Sequence, residues 1–358
     1  MSSMERIVFV CLRLSEGGAE RVISILANHF AEIGHPVETV LLLDEPIVYQ
    51  LDDRIVVHRL QWNSTKSIRE YARRVMQMRS FFRGGGCIVI SFLFRAIFWA
   101  TIGSVFTKTK RIVSERNDPR RDPNKWFKRI LRDVCYAIAD TVVFQTVEQK
   151  KHFPSAIQKK GRVIPNPVSD NLPEHKISIC ENTIISACRY EKQKNILMGI
   201  KAFAVFHETH KEYQYHIYGE GSQREELENY IKENNLSDSV KLKGFANNIH
   251  EIISRSALFI SSSDYEGISN SILEALSMGV PAICTDCPIG GTRELIKDGK
   301  NGLLVEVGNI QQLSRKMCEL IDNTEERIRI SNCAKDIKYR YSKNEICHRW
   351  ETVVRSVV

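Results

Sequence analysis

Two successive series of short β-branched runs, each run followed by a stretch of helical period, constrain this chain more than any other feature of it. In the first half the runs are Arg6–Leu12, Val37–Leu43, Ile55–Leu60, Cys87–Phe92, Arg111–Glu115 and Thr141–Gln145. Between them lie segments such as Ala19–Ile33, where Val22, Ile25, Leu26 and Phe30 recur at helical spacing and Gly34 stops the helix. Strands that are apolar on both faces and alternate with helices belong in a parallel, doubly wound sheet. The segment Ile164–Ile179, with Pro165, Asn166, Pro167, Asn171 and Pro173, is the richest breaker cluster in the chain. After it the same grammar restarts with strands at Thr183–Arg189, Tyr213–Tyr218, Val240–Leu242, Ala257–Ile260, Pro281–Cys284 and Gly302–Val307, and with a helix at Asn195–His210. Residues from Ile310 onward read as helical.

The expected architecture is therefore α/β, with two Rossmann-like doubly wound domains facing across a cleft. The expected domains are residues 1–170, residues 171–340, and a helix over 341–358 that packs back towards the first. At 358 residues two domains are the natural division, and 43% hydrophobic with 26% charged residues is a globular composition. Ten cysteines without a framework spacing, and no secretory pattern at Met1–Gly18, point to a reduced, cytosolic compartment. Cys87–Phe106 is long enough to span a bilayer, but Arg95 near its middle argues for a buried strand followed by a helix near Phe94.

The net charge of +8 is concentrated in one half. Residues 1–175 hold 27 Lys and Arg against 18 Asp and Glu, whereas residues 176–358 are nearly neutral. Such asymmetry suggests an anionic surface as partner of the first half. Ser67–Arg83 carries Arg69, Arg73, Arg74, Arg79 and Arg83 opposite an apolar stripe of Ile68, Tyr71, Val75, Met78 and Phe82. A second basic cluster surrounds Trp126 and Phe127. Docking on an anionic membrane is the expectation, and nucleic acid is not, because the only aromatic residues among the basic ones, Trp126, Phe127 and Tyr71, sit on helical spacing that suits a core or a membrane edge.

Two loops carry the chemistry. In Ser261–Ala275 a buried strand ends, and a helix is expected to begin near Ile268. The N–H groups of such a helix start suit phosphate oxygens, and Gly267 lets a ligand approach the backbone. Glu274 lies eight residues after Glu266, about two turns, which places both on nearly the same helical face. After the first strand of the second half, Arg189 and Lys194 set two cations at a crevice, suited to a pyrophosphate. Cys284 and Cys287 lack a second pair at metal spacing, and no Walker A or G-x-G-x-x-G string occurs.

These motifs resemble the retaining nucleotide-sugar glycosyltransferases of family 4, with the two-Rossmann GT-B fold, of the type that builds bacterial surface polysaccharide. Glu266 and Glu274 match that family's Glu-(x)7-Glu pattern, and Arg189 with Lys194 its Arg-(x)4-Lys pattern. Gly17–Arg21 resembles the family's first glycine loop, Val163–Pro167 its strand before the hinge, and Asp298–Val305 its late turn. The resemblance implies that Arg189 and Lys194 hold the donor pyrophosphate. Glu274 would bind the ribose hydroxyls and Glu266 the donor sugar, while Gly267, Ile268, Ser269 and Asn270 would line the distal phosphate. Gly17 and Gly18 would approach the donor, and Gly244 and Phe245 would cradle the base. Where many members carry a cleft histidine this chain has Ser114-Glu115-Arg116-Asn117, so Arg116 is a candidate cleft or acceptor contact.

The implied activity is metal-independent, retaining transfer from a nucleoside-diphosphate sugar, with a uridine diphosphate sugar preferred over a guanosine one. No cofactor or metal ligand is expected. The implied acceptor is a polyprenyl-diphosphate-linked saccharide, and the implied location is the inner face of the cell membrane. Two alternatives are a nucleotide-sugar epimerase on the same fold and a non-catalytic basic module or partner subunit.

Overall fold

The computed structural model describes residues 4–15, 17–60, 62 and 67–358. The chain forms two compact units, one of residues 1–167 with 343–358 and the other of residues 168–342. The first contains the strands β1 Arg6–Cys11, β2 Val37–Leu41, β3 Val56–Arg59, β4 Cys87–Phe92, β5 Lys110–Ser114, β6 Thr141–Phe144 and β7 Gly161–Val163. They form one sheet in the order β3-β2-β1-β4-β5-β6-β7, with every pairing parallel. The second contains β8 Glu181–Ala187, β9 Gln214–Tyr218, β10 Val240–Gly244, β11 Ser256–Ser261, β12 Ala282–Thr285 and β13 Leu303–Val305. Their order is β10-β9-β8-β11-β12-β13, again parallel throughout.

Burial explains why these runs become strands. All six residues of β4 are buried, as are Ile7, Val8, Phe9 and Val10 of the neighbouring β1. A strand with apolar residues on both faces is stable only between two layers of helices. Cys87–Phe106 accordingly divides into β4 and a separate helix, Phe94–Ser104, and among the described residues no helix is long and apolar enough to cross a membrane.

One side of the first sheet is completed late in the chain. Helix Lys343–Val357 contributes Ile346, Cys347, Trp350, Val353, Val354 and Val357 to the same core as Ile7, Phe9, Phe30 and Phe92. The Trp350 indole stacks on Phe92, with ring centroids 5.6 Å apart. His29 and Glu351 close the contact at 2.8 Å.

Two local readings of the sequence need correcting. Helix Ile68–Phe82 buries only Met78 and Phe82 of its supposed stripe, and Ile68 is 89% exposed. Its first turn is held instead by charge, since Glu70 accepts from both Arg73 and Arg74. In the second unit, the helix after β11 begins at Asn270 with Ser269 as an extended N-cap, later than the apolar pattern around Ile268 implies. Glu266 is therefore a loop residue, and the shared-face argument for the two carboxylates fails. Only Glu274 lies on that helix.

Candidate functional site

In a doubly wound sheet the crevice opens at the carboxyl ends of the strands where the order reverses direction. In the second unit that reversal falls between β8 and β11, neighbours in space but far apart in sequence. The segments leaving these two strands are Cys188–Asn195 and Ser262–Ser269, the same two loops that carry the sequence motifs.

Hydrogen bonds tie the loops together. The Asp264 amide donates to the Gln193 carbonyl at 2.8 Å. Asn195 Nδ2 donates to Asp264 Oδ1 at 2.7 Å, and the Ser262 hydroxyl donates to the Lys194 carbonyl at 3.1 Å. Asn195 sits in the left-handed region at φ 41°, which asparagine tolerates better than most residues, and its side chain caps helix Ile196–His207 at the Met198 amide. This turn reverses the chain at Lys194 and aims it towards the opposite loop.

Lys194 Nζ forms an ion pair with Glu266 Oε1, and Gln193 Nε2 donates to Glu266 Oε2 at 2.8 Å. Both charged side chains are nearly enclosed, with 13% and 9% of their surface exposed. Burial alone would lower the Lys194 pKa, but the neighbouring Glu266 carboxylate outweighs it and holds the value above that of an ordinary lysine. Lys194 is thus a fixed cation at neutral pH. Arg189 is exposed beside it, close enough for its charge to oppose the Lys194 cation. The loop therefore presents one cation anchored by a carboxylate and one open to solvent.

Glu274 is buried and held separately. Its Oε1 accepts from the Ser169 hydroxyl at 2.9 Å, and its Oε2 lies 3.1 Å from His250 Nε2. Gly267 has a different neighbour: a Cβ added to Gly291 would stand 2.0 Å from the Gly267 carbonyl oxygen. Two backbones touch there, so position 291 admits no side chain. Gly219 shows the same constraint at the end of β9, with φ at +136° and the Cys188 carbonyl 1.9 Å from any Cβ. Gly244, at φ +73°, accepts at its carbonyl from the Gly219 amide at 2.8 Å, and Phe245 beyond it is 59% exposed. Ser269 exchanges a hydrogen bond with Ser271 at 3.1 Å, next to Asn270 at the helix start. Ile268 is buried among the second unit's apolar residues.

Residues 170–337 match the family model described as "Glycosyl transferases group 1", which spans the site just described. This unit is similar to the group 1 glycosyl transferases. The whole chain is 23% identical to an uncharacterised glycosyltransferase of Haemophilus influenzae, over 98% of this chain and 100% of that one. It is 26% identical to the Campylobacter jejuni N-acetylgalactosamine-N,N'-diacetylbacillosaminyl-diphospho-undecaprenol 4-alpha-N-acetylgalactosaminyltransferase, over 96% of this chain and 97% of that one. Among solved structures, Anabaena Alr3699/HepE in complex with UDP and glucose superposes with a TM-score of 0.85 at 18% identity, covering 98% of this chain and 100% of the other. The fold is the GT-B fold of these glycosyltransferases. Within the second unit, Gln193, Ser169, His250 and the Asn195–Asp264 clamp escaped the sequence reading. Gln193 and Asn195 flank Lys194 and were in view, but nothing in sequence places Ser169 or His250 beside a carboxylate in the helix Asn270–Met278.

The first unit's candidates form no comparable cluster. Gly17 precedes helix Gly18–Glu32, its amide and carbonyl both meeting the Tyr49 hydroxyl, at 3.3 and 3.0 Å. A Cβ on Gly17 would lie 2.1 Å from Glu20 Oε2, so an acid of this chain already leans over that helix start. Gly18, the first helical residue, is exposed. Arg116 is buried after β5. Its guanidinium lies 4.1 Å from the centroid of the Phe92 ring and 5.6 Å from that of Trp350, and it donates to Asn166 Oδ1 at 2.8 Å. Burial lowers its pKa to about 9. Asn166 also accepts from Gln145, so Arg116 joins the ends of β5 and β6 to the segment leading out of the unit.

Proposed function

We propose that the chain is a retaining glycosyltransferase that moves a sugar from a nucleoside-diphosphate donor to a polyprenyl-diphosphate-linked saccharide, at the cytoplasmic face of a bacterial membrane. The observation that carries this reading is the anchored Lys194, with Arg189 beside it, at the switch point of the second sheet. During transfer the bond between the anomeric carbon and the distal phosphate oxygen breaks, and its electron pair stays on the phosphate. The acceptor hydroxyl forms the new bond at the anomeric carbon and passes its proton to the departing phosphate oxygen. Lys194, Arg189 and the N–H groups around Gly267, Ile268, Ser269 and Asn270 supply the charge that neutralises the departing diphosphate.

Glu266 serves as the anchor of Lys194 and contacts the donor sugar, and Glu274 takes the ribose hydroxyls. Gly244 and Phe245 line the base, with uridine preferred. The Campylobacter relative's name specifies a diphospho-undecaprenol acceptor, and the Anabaena structure holds UDP, which supports both substrate classes. The cations stand where a divalent ion would otherwise act, so activity is expected to persist in chelator. Thermal-shift titration with uridine, guanosine and adenosine diphosphates, followed by product analysis with the matching sugar donor, tests the assignment. Absence of any nucleotide shift, or loss of turnover in chelator restored by magnesium, would refute the respective part.

A further inference from the structure

Helix Trp126–Ile138 is amphipathic with its faces reversed. The residues it turns inward are Arg132, Cys135 and Tyr136. The Arg132 guanidinium is 2% exposed, donates to the carbonyls of Pro119 and Asp122 at 2.6 and 2.8 Å, and lies 3.6 Å from Glu115. Turned outward are Trp126 at 68% exposure, Ile130 at 54% and Val134 at 49%, with Phe127, Leu131 and Ile138 also exposed. At 3.6 residues per turn these six fall within an arc of about 140°. A surface helix ordinarily buries such a stripe, and a contiguous exposed one marks an interaction face.

Charge decides what the face meets. Lys128 and Arg129 project on either flank of the arc, and Lys125 stands at its start. Arg120 and Arg121 precede it, and Asp122 is the one acid between positions 120 and 129. An apolar stripe with an aromatic residue at one end and cations along both edges matches a surface that is anionic outside and hydrocarbon beneath. Helix Ile68–Phe82 fits less well, because Arg73 and Arg74 are engaged by Glu70 and its large buried residues face the sheet.

We propose that the outward face of Trp126–Ile138 embeds in the surface of an anionic bilayer and holds the enzyme there. The inference deepens the reading of a lipid-linked acceptor and takes its purpose from it, although the reversed helix is an independent observation. The test is sedimentation of the full chain with vesicles of phosphatidylcholine and phosphatidylglycerol, against vesicles of phosphatidylcholine alone. Wild type should bind the anionic vesicles, and more weakly as salt rises. Ile130→Ser with Val134→Ser should weaken that binding by about tenfold or more. Lys125→Glu with Lys128→Glu should remove the preference for anionic lipid. All should keep the wild-type thermal shift with UDP, because the altered residues are exposed or, for Lys128, half-buried, and lie in the other unit. No binding by wild type, or equal binding to neutral vesicles, overturns the proposal. So does a wild-type dimer, measured by sedimentation equilibrium, that the Ser pair dissociates, since a second copy then covers the stripe. Vesicle binding without any nucleotide shift would refute the transferase reading and leave the docking face standing.

Discussion

Replacing Glu266 with glutamine isolates the charge at the centre of the proposed donor site. The glutamine keeps the shape and can still accept from Gln193 Nε2, but it leaves the Lys194 ammonium without its counter-charge. Removing one partner of a buried pair costs about 3–5 kcal/mol, and the slight exposure of both side chains brings the expectation to about 2–4 kcal/mol. For a unit of this size that lowers the unfolding midpoint by about 4–16 °C. Lys194→Met combined with Glu266→Gln should recover part of the loss, because the stranded charge is gone. A diphosphate that binds at Lys194 would also replace the missing carboxylate, so saturating UDP should stabilise Glu266→Gln more than wild type. The pair's contribution depends on a lysine whose pKa is raised on folding. It is therefore complete below the ordinary lysine value and fades only as pH rises through the higher folded one. Differential scanning fluorimetry with and without UDP reads each of these quantities. A Glu266→Gln midpoint within about 1 °C of wild type, with strictly additive double-variant effects, would refute the anchored-cation argument.

Glu274→Ala should weaken donor binding or turnover at least tenfold, roughly 1.4 kcal/mol, whereas Ser169→Ala, which removes one support of that carboxylate, should cost less; equal losses in calorimetry would contradict that ranking. Gly291→Ala forces its Cβ into the Gly267 carbonyl and should displace that loop, costing about 1–3 kcal/mol in stability together with UDP affinity; a variant with wild-type midpoint and affinity would disprove the contact. Burial lifts Glu115 to about 7, with the Arg132 charge partly opposing it, so the folded chain holds a proton that the unfolded chain releases from about pH 4.5. Stability should therefore fall between those two values as pH rises, and Glu115→Gln should flatten the slope and gain about 2–3 kcal/mol above pH 7. An unchanged pH profile of the unfolding midpoint would count against it.

The strands were legible because a parallel sheet covered on both sides needs uninterrupted apolar runs, and Cys87–Phe92 is such a run from end to end. Helices were harder wherever something other than apolar packing stabilises them. Helix Ile68–Phe82 begins on the charges of Glu70, Arg73 and Arg74, and Trp126–Ile138 inverts the inside-out rule that a periodic pattern assumes. The start of helix Asn270–Met278 was misplaced because Ile268 is buried in a loop and extends the apolar period past the true cap at Ser269. At the candidate site, Lys194 and Glu266 stood out as motif residues, but their contact joins two segments 72 positions apart. That distance is set by which strands become neighbours. The local sequence carries no trace of it.

Helix Lys343–Val357 gives the molecule a particular order of assembly. The first unit is begun by residues that leave the ribosome before those of the second, yet Phe9, Phe30 and Phe92 find Trp350 only after the whole second unit has been synthesised. Residues 168–342 hold all their own strands and are free to fold first. Meanwhile the earlier sheet waits with part of one apolar side, beside helix Gly18–Glu32, open to solvent or to a chaperone. A premature stop near position 340 would thus leave the nucleotide-binding candidate intact and spoil the half of the protein made long before it.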